Sequence, residues 1–228
     1  MSEKKLSDKI EQNSTRYEYE RGYKTAQYSL ELGKIAMEFR QEKRVPRYAD
    51  GERESNVEHS YMLGLVAPEI INAIDLPLDT GLCGLYAYAH DLIELETHDV
   101  PTFLFTEDQQ LQKEINEQEA LRRLYERLPP FWSHIVAQYE HQADPEARFV
   151  RYVDKLLPIV VDTLGAGTKV MREDYGVTSI EALRKCHADL HARIVKKFGN
   201  EFPELDLAHQ LLCELFEQTF ENELANGL

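Results

Sequence analysis

Apolar residues recur at spacings of three and four along most of this chain, and period-two alternation is scarce. That rhythm predicts helices joined by short connections. A first helix is predicted over 15–42, with Tyr17, Leu30, Leu32, Ile35, Ala36 and Phe39 among its apolar positions, running into the charged segment Lys43-Arg44-Val45-Pro46-Arg47. Pro46 and Asp50-Gly51 punctuate residues 46–55, which read as a loop. A second helix is expected over about 56–73 and a third over about 79–96. Thr106 and Gln109 form a capping box for a long charged helix to about residue 128, and Pro129-Pro130 opens a shorter one to 139. Asp144 before Pro145 is an N-cap with proline at the first helical position, opening a helix over 145–164. Residues 165–176 read as a loop, Thr178 and Glu181 cap a helix over about 178–198, and a last helix covers about 206–224. No repeat, low-complexity stretch or Gly/Ser linker interrupts the series, so the expectation is a single all-α domain over residues 1–228.

Composition agrees. Hydrophobic residues make up 43%, enough to fill a core, while 11 Gly and 9 Pro are too few for a turn-rich β-sandwich. Cys83, Cys186 and Cys213 form no CxxC pair and lie far apart, as expected of a reduced, cytoplasmic chain without a disulfide framework. The segment from Met1 to Arg16 is polar, unlike a signal peptide, and no apolar run approaches the ~18 residues that would span a membrane. The 26 Lys+Arg against 41 Asp+Glu give a net charge of −15, which disfavours nucleic-acid polymers as partners. A small anionic substrate remains admissible where local positive charge attracts it.

The informative residues are polar ones that interrupt apolar stripes. Val150, Asp154, Leu157 and Val161 are spaced four, three and four, so Asp154 points where a core residue belongs. A buried carboxylate needs a cation, either a neighbouring Arg or Lys or a metal ion. Pro158, four residues later, deprives the Asp154 carbonyl of its helical amide and is expected to bend the helix. The apolar series Leu82, Leu85, Tyr86, Ala89 ends in His90-Asp91-Leu92-Ile93-Glu94, with His90 and Glu94 on one helical face. Glu58-His59-Ser60 opens the second helix, again beside an apolar run. His59, His90, Asp91 and Asp154 thus come from three helices that could converge them on one divalent ion, since imidazole nitrogen and carboxylate oxygen suit Mn, Fe, Co, Ni or Zn.

In this order, His59, then His90-Asp91, then Asp154 resembles the H…HD…D signature of the HD superfamily of metal-dependent phosphohydrolases. The context is similar to the bacterial 5′-deoxynucleotidase group: Arg44-Val45-Pro46-Arg47 precedes Asn56-Val57-Glu58-His59-Ser60, His90 to Glu94 runs into Thr97-His98-Asp99-Val100-Pro101-Thr102, and Pro145 to Val150 leads to Asp154-Lys155-Leu156. The resemblance covers about residues 35–200 and leaves helices at either end. It implies a helical HD-type bundle and one divalent metal ion (Mn, Co, Ni, Fe, Zn or Mg) held by His59, His90, Asp91 and Asp154. It implies Glu94 and Asp99 as catalytic acids, and Arg44 at the substrate phosphate. The implied reaction is hydrolysis of the phosphate ester of a (deoxy)nucleoside 5′-monophosphate, with removal of triphosphate from a dNTP as the alternative and a non-catalytic helical interaction protein as the remoter one. Where the deoxynucleotidases carry tryptophan after that arginine, this chain has Val45, so their sugar preference does not transfer. A small nucleotide is the expected partner, and association into a homodimer fits the family habit.

Other candidates have plainer explanations. His187 and His191 are four apart, but His187 lies on the stripe Ile180, Leu183, Leu190, Ile194, which favours partial burial over a second metal. Tyr17, Tyr19, Tyr23 and Tyr28 suit packing between helices better than base stacking. Lys43, Arg44 and Arg47 form the densest basic cluster near the proposed site, and Lys155 is either a substrate contact or half of a surface ion pair. Ser60 and the cysteines have no partner arrangement for nucleophilic catalysis, and no Gly-rich phosphate loop exists.

Overall fold

The computed structural model describes residues 15–97 and 107–226. The chain divides into two compact units, residues 1–38 and 39–228. The first contains nearly all of helix α1 (Arg16–Phe39), which Thr15 and Glu18 cap reciprocally: the Glu18 amide donates to Thr15 Oγ1 (3.2 Å) and the Thr15 amide to Glu18 Oε2 (2.9 Å). Within this unit Tyr17, Tyr23 and Tyr28 are exposed on the helix and Tyr19 is half-buried.

The second unit is an all-α bundle with one small hairpin. Its elements are β1 (Lys43–Arg47), β2 (Arg53–Ser55), α2 (Asn56–Ala73), α3 (Thr80–Ala89), α4 (Glu94–Thr97), α5 (Glu107–Arg127), α6 (Pro130–His141), α7 (Pro145–Leu164), α8 (Gly167–Glu173), α9 (Ile180–Phe198) and α10 (Pro203–Ala225). Among the described residues, no helix is long and apolar enough to cross a membrane.

Helix α7 is the axis. It packs against α2, α3, α6, α8, α9, α10 and β1, and it buries residues on nearly every side, from Phe149 and Val150 to Val161 and Asp162. Asp144 caps it as the sequence predicts, its side chain accepting from the Ala147 amide at 2.8 Å. Helices α2 and α3 pack on each other and both lie against α7, which brings the elements bearing His59 and His90 beside Asp154. A second apolar cluster, with Met171, Leu183, Cys213, Phe216 and Phe220, joins α8, α9 and α10.

Several boundaries differ from the sequence reading. Residues 46–55 are not a plain loop: β1 and β2 pair antiparallel, Lys43 opposite Ser55 and Arg47 opposite Arg53, around the turn at Asp50-Gly51, where Gly51 takes φ 89°. The third helix does not run unbroken to 96. Beyond Ala89 the chain tightens into three-residue turns, Leu92 N to Ala89 O (3.1 Å), Glu94 N to Asp91 O (2.9 Å) and Glu96 N to Ile93 O (2.9 Å). Residues 165–176 hold α8, and the cap of α9 is Ser179, which accepts from the Ala182 amide, in place of Thr178. Thr106, expected to cap α5, lies outside the described residues.

Candidate metal centre

Each of the four expected ligands is brought in by a local device. Ser55 and Glu58 form a capping box at the start of α2, fixing the first turn that carries His59. The end of α3 presents His90, and the tight turn after it swings Asp91 back toward that ring. Asp154 projects from the middle of α7.

His59 is fully buried, and its Nε2 lies 2.9 Å from Asp154 Oδ1. His90 Nε2 lies 3.0 Å from Asp91 Oδ2 and 3.7 Å from Asp154 Oδ1. The two rings stand 5.2 Å apart. One ligand atom from each of His59, His90, Asp91 and Asp154 lies within 4.8 Å of the other three, and this is the one group of its kind among the described residues. His90 Nδ1 meets the Ala87 carbonyl at 2.8 Å; a carbonyl only accepts, so the ring proton belongs on Nδ1 and the Nε2 lone pair points into the cluster.

The electrostatics fit a cation. Burial pushes the Asp154 carboxyl upward, but Lys155 and the two imidazoles outweigh it and hold the group well below the usual carboxylate range. Asp91 is likewise held low, against burial, by His90 and Arg44. Burial and Arg44 press the His59 pKa down, and the carboxylates of Asp154 and Glu54 beside the ring carry it above its ordinary value. Two carboxylates packed against two imidazoles are a donor set that suits a divalent ion.

The other expected residues divide. Arg44, from β1, reaches Asp91 Oδ2 with Nη1 at 2.5 Å and stands 3.5 Å from Glu54 with Nε. Its neighbours turn elsewhere: Arg47 pairs with Asp174 at 2.7 Å and Lys43 donates to the Arg53 carbonyl. Lys155 Nζ meets Asp154 Oδ2 at 2.6 Å, and its side chain is exposed. Glu94 is not one of the four clustered donors; its Oε2 accepts from Asn56 Nδ2 at 2.5 Å, which tethers it to the turn of α2 before His59. Asp99 lies outside the described residues. His187 is buried and bonded to Glu217 (2.7 Å), in line with the plainer expectation. Burial pushes the Cys83 and Cys213 thiols up to about 12, so neither supplies a thiolate.

Two residues escaped the sequence reading. Glu54 and Asp162 are both buried, and burial together with the Glu54 charge pushes the Asp162 carboxyl up to about 7. Asp162 follows Val161 on the face of α7 that Asp154 shares, a signal that was readable. Glu54 had none, because a hairpin and not a helix stripe buries it.

Comparison with known proteins places this geometry. The HD-domain family model matches residues 36–193. Among solved structures the chain is similar to a crystal structure from Magnetospirillum magnetotacticum MS-1 described as a "predicted metal-dependent phosphohydrolase". That likeness has a TM-score of 0.63 at 22% identity and covers 84% of this chain and 93% of the other. No curated protein matches the chain.

Proposed function

Because the chain belongs to the HD-domain family, we propose that it is a metal-dependent phosphohydrolase that cleaves the phosphate ester of a (deoxy)nucleoside 5′-monophosphate. The observation that carries the reading is the buried convergence of His59, His90, Asp91 and Asp154 with Arg44 at its edge. When bound there, a divalent ion supplies a Lewis acid for phosphoryl charge and lowers the pKa of water beside it.

The residues of the chain do the rest. His90, fixed by the Ala87 carbonyl, and His59 would hold the ion through their rings, and Asp91 and Asp154 would balance its charge. Arg44 meets the phosphoryl oxygens, with a planar fork that matches them better than an ammonium would. Lys155 adds a second positive contact. Glu94, steadied by Asn56, takes the proton of the attacking water or returns one to the leaving oxygen, and Asp99 is the other acid for that exchange.

The triphosphohydrolase alternative uses the same metal residues. The test is product release from nucleoside mono- and triphosphates with Mn²⁺, Co²⁺, Ni²⁺ or Mg²⁺. Inorganic phosphate from monophosphates supports the first reading, and inorganic triphosphate the second. No turnover with any metal, and no metal found by elemental analysis, overturns both.

A further inference from the structure

We infer that Glu54 is the positioning residue of the metal centre: its carboxylate holds the ring proton of His59 on Nδ1 and the Arg44 guanidinium beside it. This rests on the metal site proposed above.

Glutamate is almost never fully buried unless it is paired, and Glu54 is fully buried. It lies at the middle of β2, five residues before His59, and the hairpin delivers it to the back of that ring. Its Oε2 stands 3.4 Å from His59 Nδ1 and 3.5 Å from Arg44 Nε. Neither the Glu54 oxygens nor His59 Nδ1 complete a well-aimed hydrogen bond among the described residues, so a buried carboxylate faces the ring nitrogen and the Arg44 Nε at ion-pair distance. The opposite edge of the same ring is the ligand edge, with Nε2 at Asp154.

The roles follow from what each atom can do. Once an ion takes the lone pair of Nε2 in place of that nitrogen's contact with Asp154, the ring proton is left to Nδ1, and a carboxylate, which only accepts, is the partner that would hold it there. An acceptor behind a ligand imidazole also makes that imidazole the better donor. His90 receives the same service from the Ala87 carbonyl, so the two ligand rings are set by different acceptors, one neutral and one charged. The charged one has a second task. Arg44 joins Glu54 to Asp91, so one buried carboxylate ties the ring that holds the ion to the arginine assigned to the phosphate. A merely structural Glu54 would neutralise Arg44 and leave the His59 ring indifferent.

Two measurements decide. In the Zn²⁺-loaded protein, long-range ¹H–¹⁵N correlation reads the His59 tautomer directly, and the expected result is a protonated Nδ1. In the isosteric variant Glu54→Gln, Co²⁺ titration followed by visible absorbance should show metal affinity about 10–100-fold weaker, with the helical circular dichroism retained. A His59 proton on Nε2 in the loaded protein overturns the inference, as does a folded Glu54→Gln that binds Co²⁺ within about threefold of the parent. Should the variant not fold, the tautomer of the parent decides alone. A parent chain that binds no divalent metal sinks the functional reading itself, whereas a parent that binds while Glu54→Gln binds equally well sinks Glu54 alone.

Discussion

Replacing Gly165 by alanine tests how the hairpin is held at the site. Gly165 ends α7, and the amide of the next residue, Ala166, donates to the Arg47 carbonyl at 3.0 Å, stapling β1 to the central helix. A Cβ on Gly165 would stand 2.2 Å from that same carbonyl oxygen, where ordinary contact begins at 3.4 Å. The strand must therefore retreat by roughly an ångström, or the helix end must. Overpacking of this kind costs about 1–3 kcal/mol, and losing the staple about 1 more. The total of roughly 2–4 kcal/mol corresponds to a melting point about 5–15 °C lower for a chain of this size. Arg44 and Glu54 ride on the displaced hairpin, and misplacement of a positioned group by ~1 Å can cost ~100-fold in rate. The four expected metal ligands sit on other elements, but Glu54 faces His59 and moves with the hairpin. Calorimetry, Mn²⁺ binding and kcat/KM should thus all respond: lower stability, weaker metal binding and much lower kcat/KM. Gly84→Ala is the control, because nothing lies within 4 Å of an added Cβ there; removing a mid-helix glycine should stabilise by about 0.5–1 kcal/mol. A Gly165→Ala protein that melts with the parent and keeps its kcat/KM refutes the staple.

Three further outcomes are expected. Mn²⁺ at 100 times its Kd should stabilise the parent by about 2.7 kcal/mol, and Asp154→Asn should abolish that rise in melting temperature; an equal rise in the variant would remove Asp154 from the ligand set. Burial, followed by the His191 and His187 charges, pushes His209 down to about 4, so between that value and ~6.5 the unfolded chain binds a proton that the folded one refuses. Stability should therefore fall by about 3 kcal/mol as pH drops through that window, and His209→Gln should flatten this limb of a pH-dependent melting series. Asp162 has the opposite sign. With its folded value raised to about 7, stability is lost as pH rises from ~4 to 7, so Asp162→Asn should gain on the parent by about 4 kcal/mol across that range, and parallel curves would contradict the burial argument.

The sequence showed what a helix stripe can show. Asp154 stood out because it interrupts the spacing from Val150 to Val161, and Asp144-Pro145 marked where that helix begins. His90-Asp91 was visible as polar residues closing an apolar series, but the premise that His90 and Glu94 share a helical face fails, since the helix ends between them and the tight turn is what folds Asp91 onto the His90 ring. The hairpin was hidden because strands of five and three residues are too short to show alternation, and its anchor is the Arg47 contact to Ala166, distant in sequence. The same distance hid α8. Gly165 and Gly167 read as punctuation, yet each is small because something packs on it, the Arg47 carbonyl on one and the Asp162 backbone and side chain on the other. Glu54 could not be found at all, since nothing local distinguishes a glutamate that a distant helix will bury.

The order in which the donors are spelled out along the chain has a consequence for biosynthesis. His59 and Asp154 meet across 95 residues, and the Arg47 staple closes only with Ala166. At ~5–20 residues per second of translation, the half-site, complete at Asp91, waits roughly 3–13 s for Asp154 to be made. Throughout that interval the nascent chain displays two imidazoles and an aspartate without their fourth partner, and an apolar groove without its filler. The four-residue cluster is complete only when Asp154 has been made, and the hairpin staple only when Ala166 has.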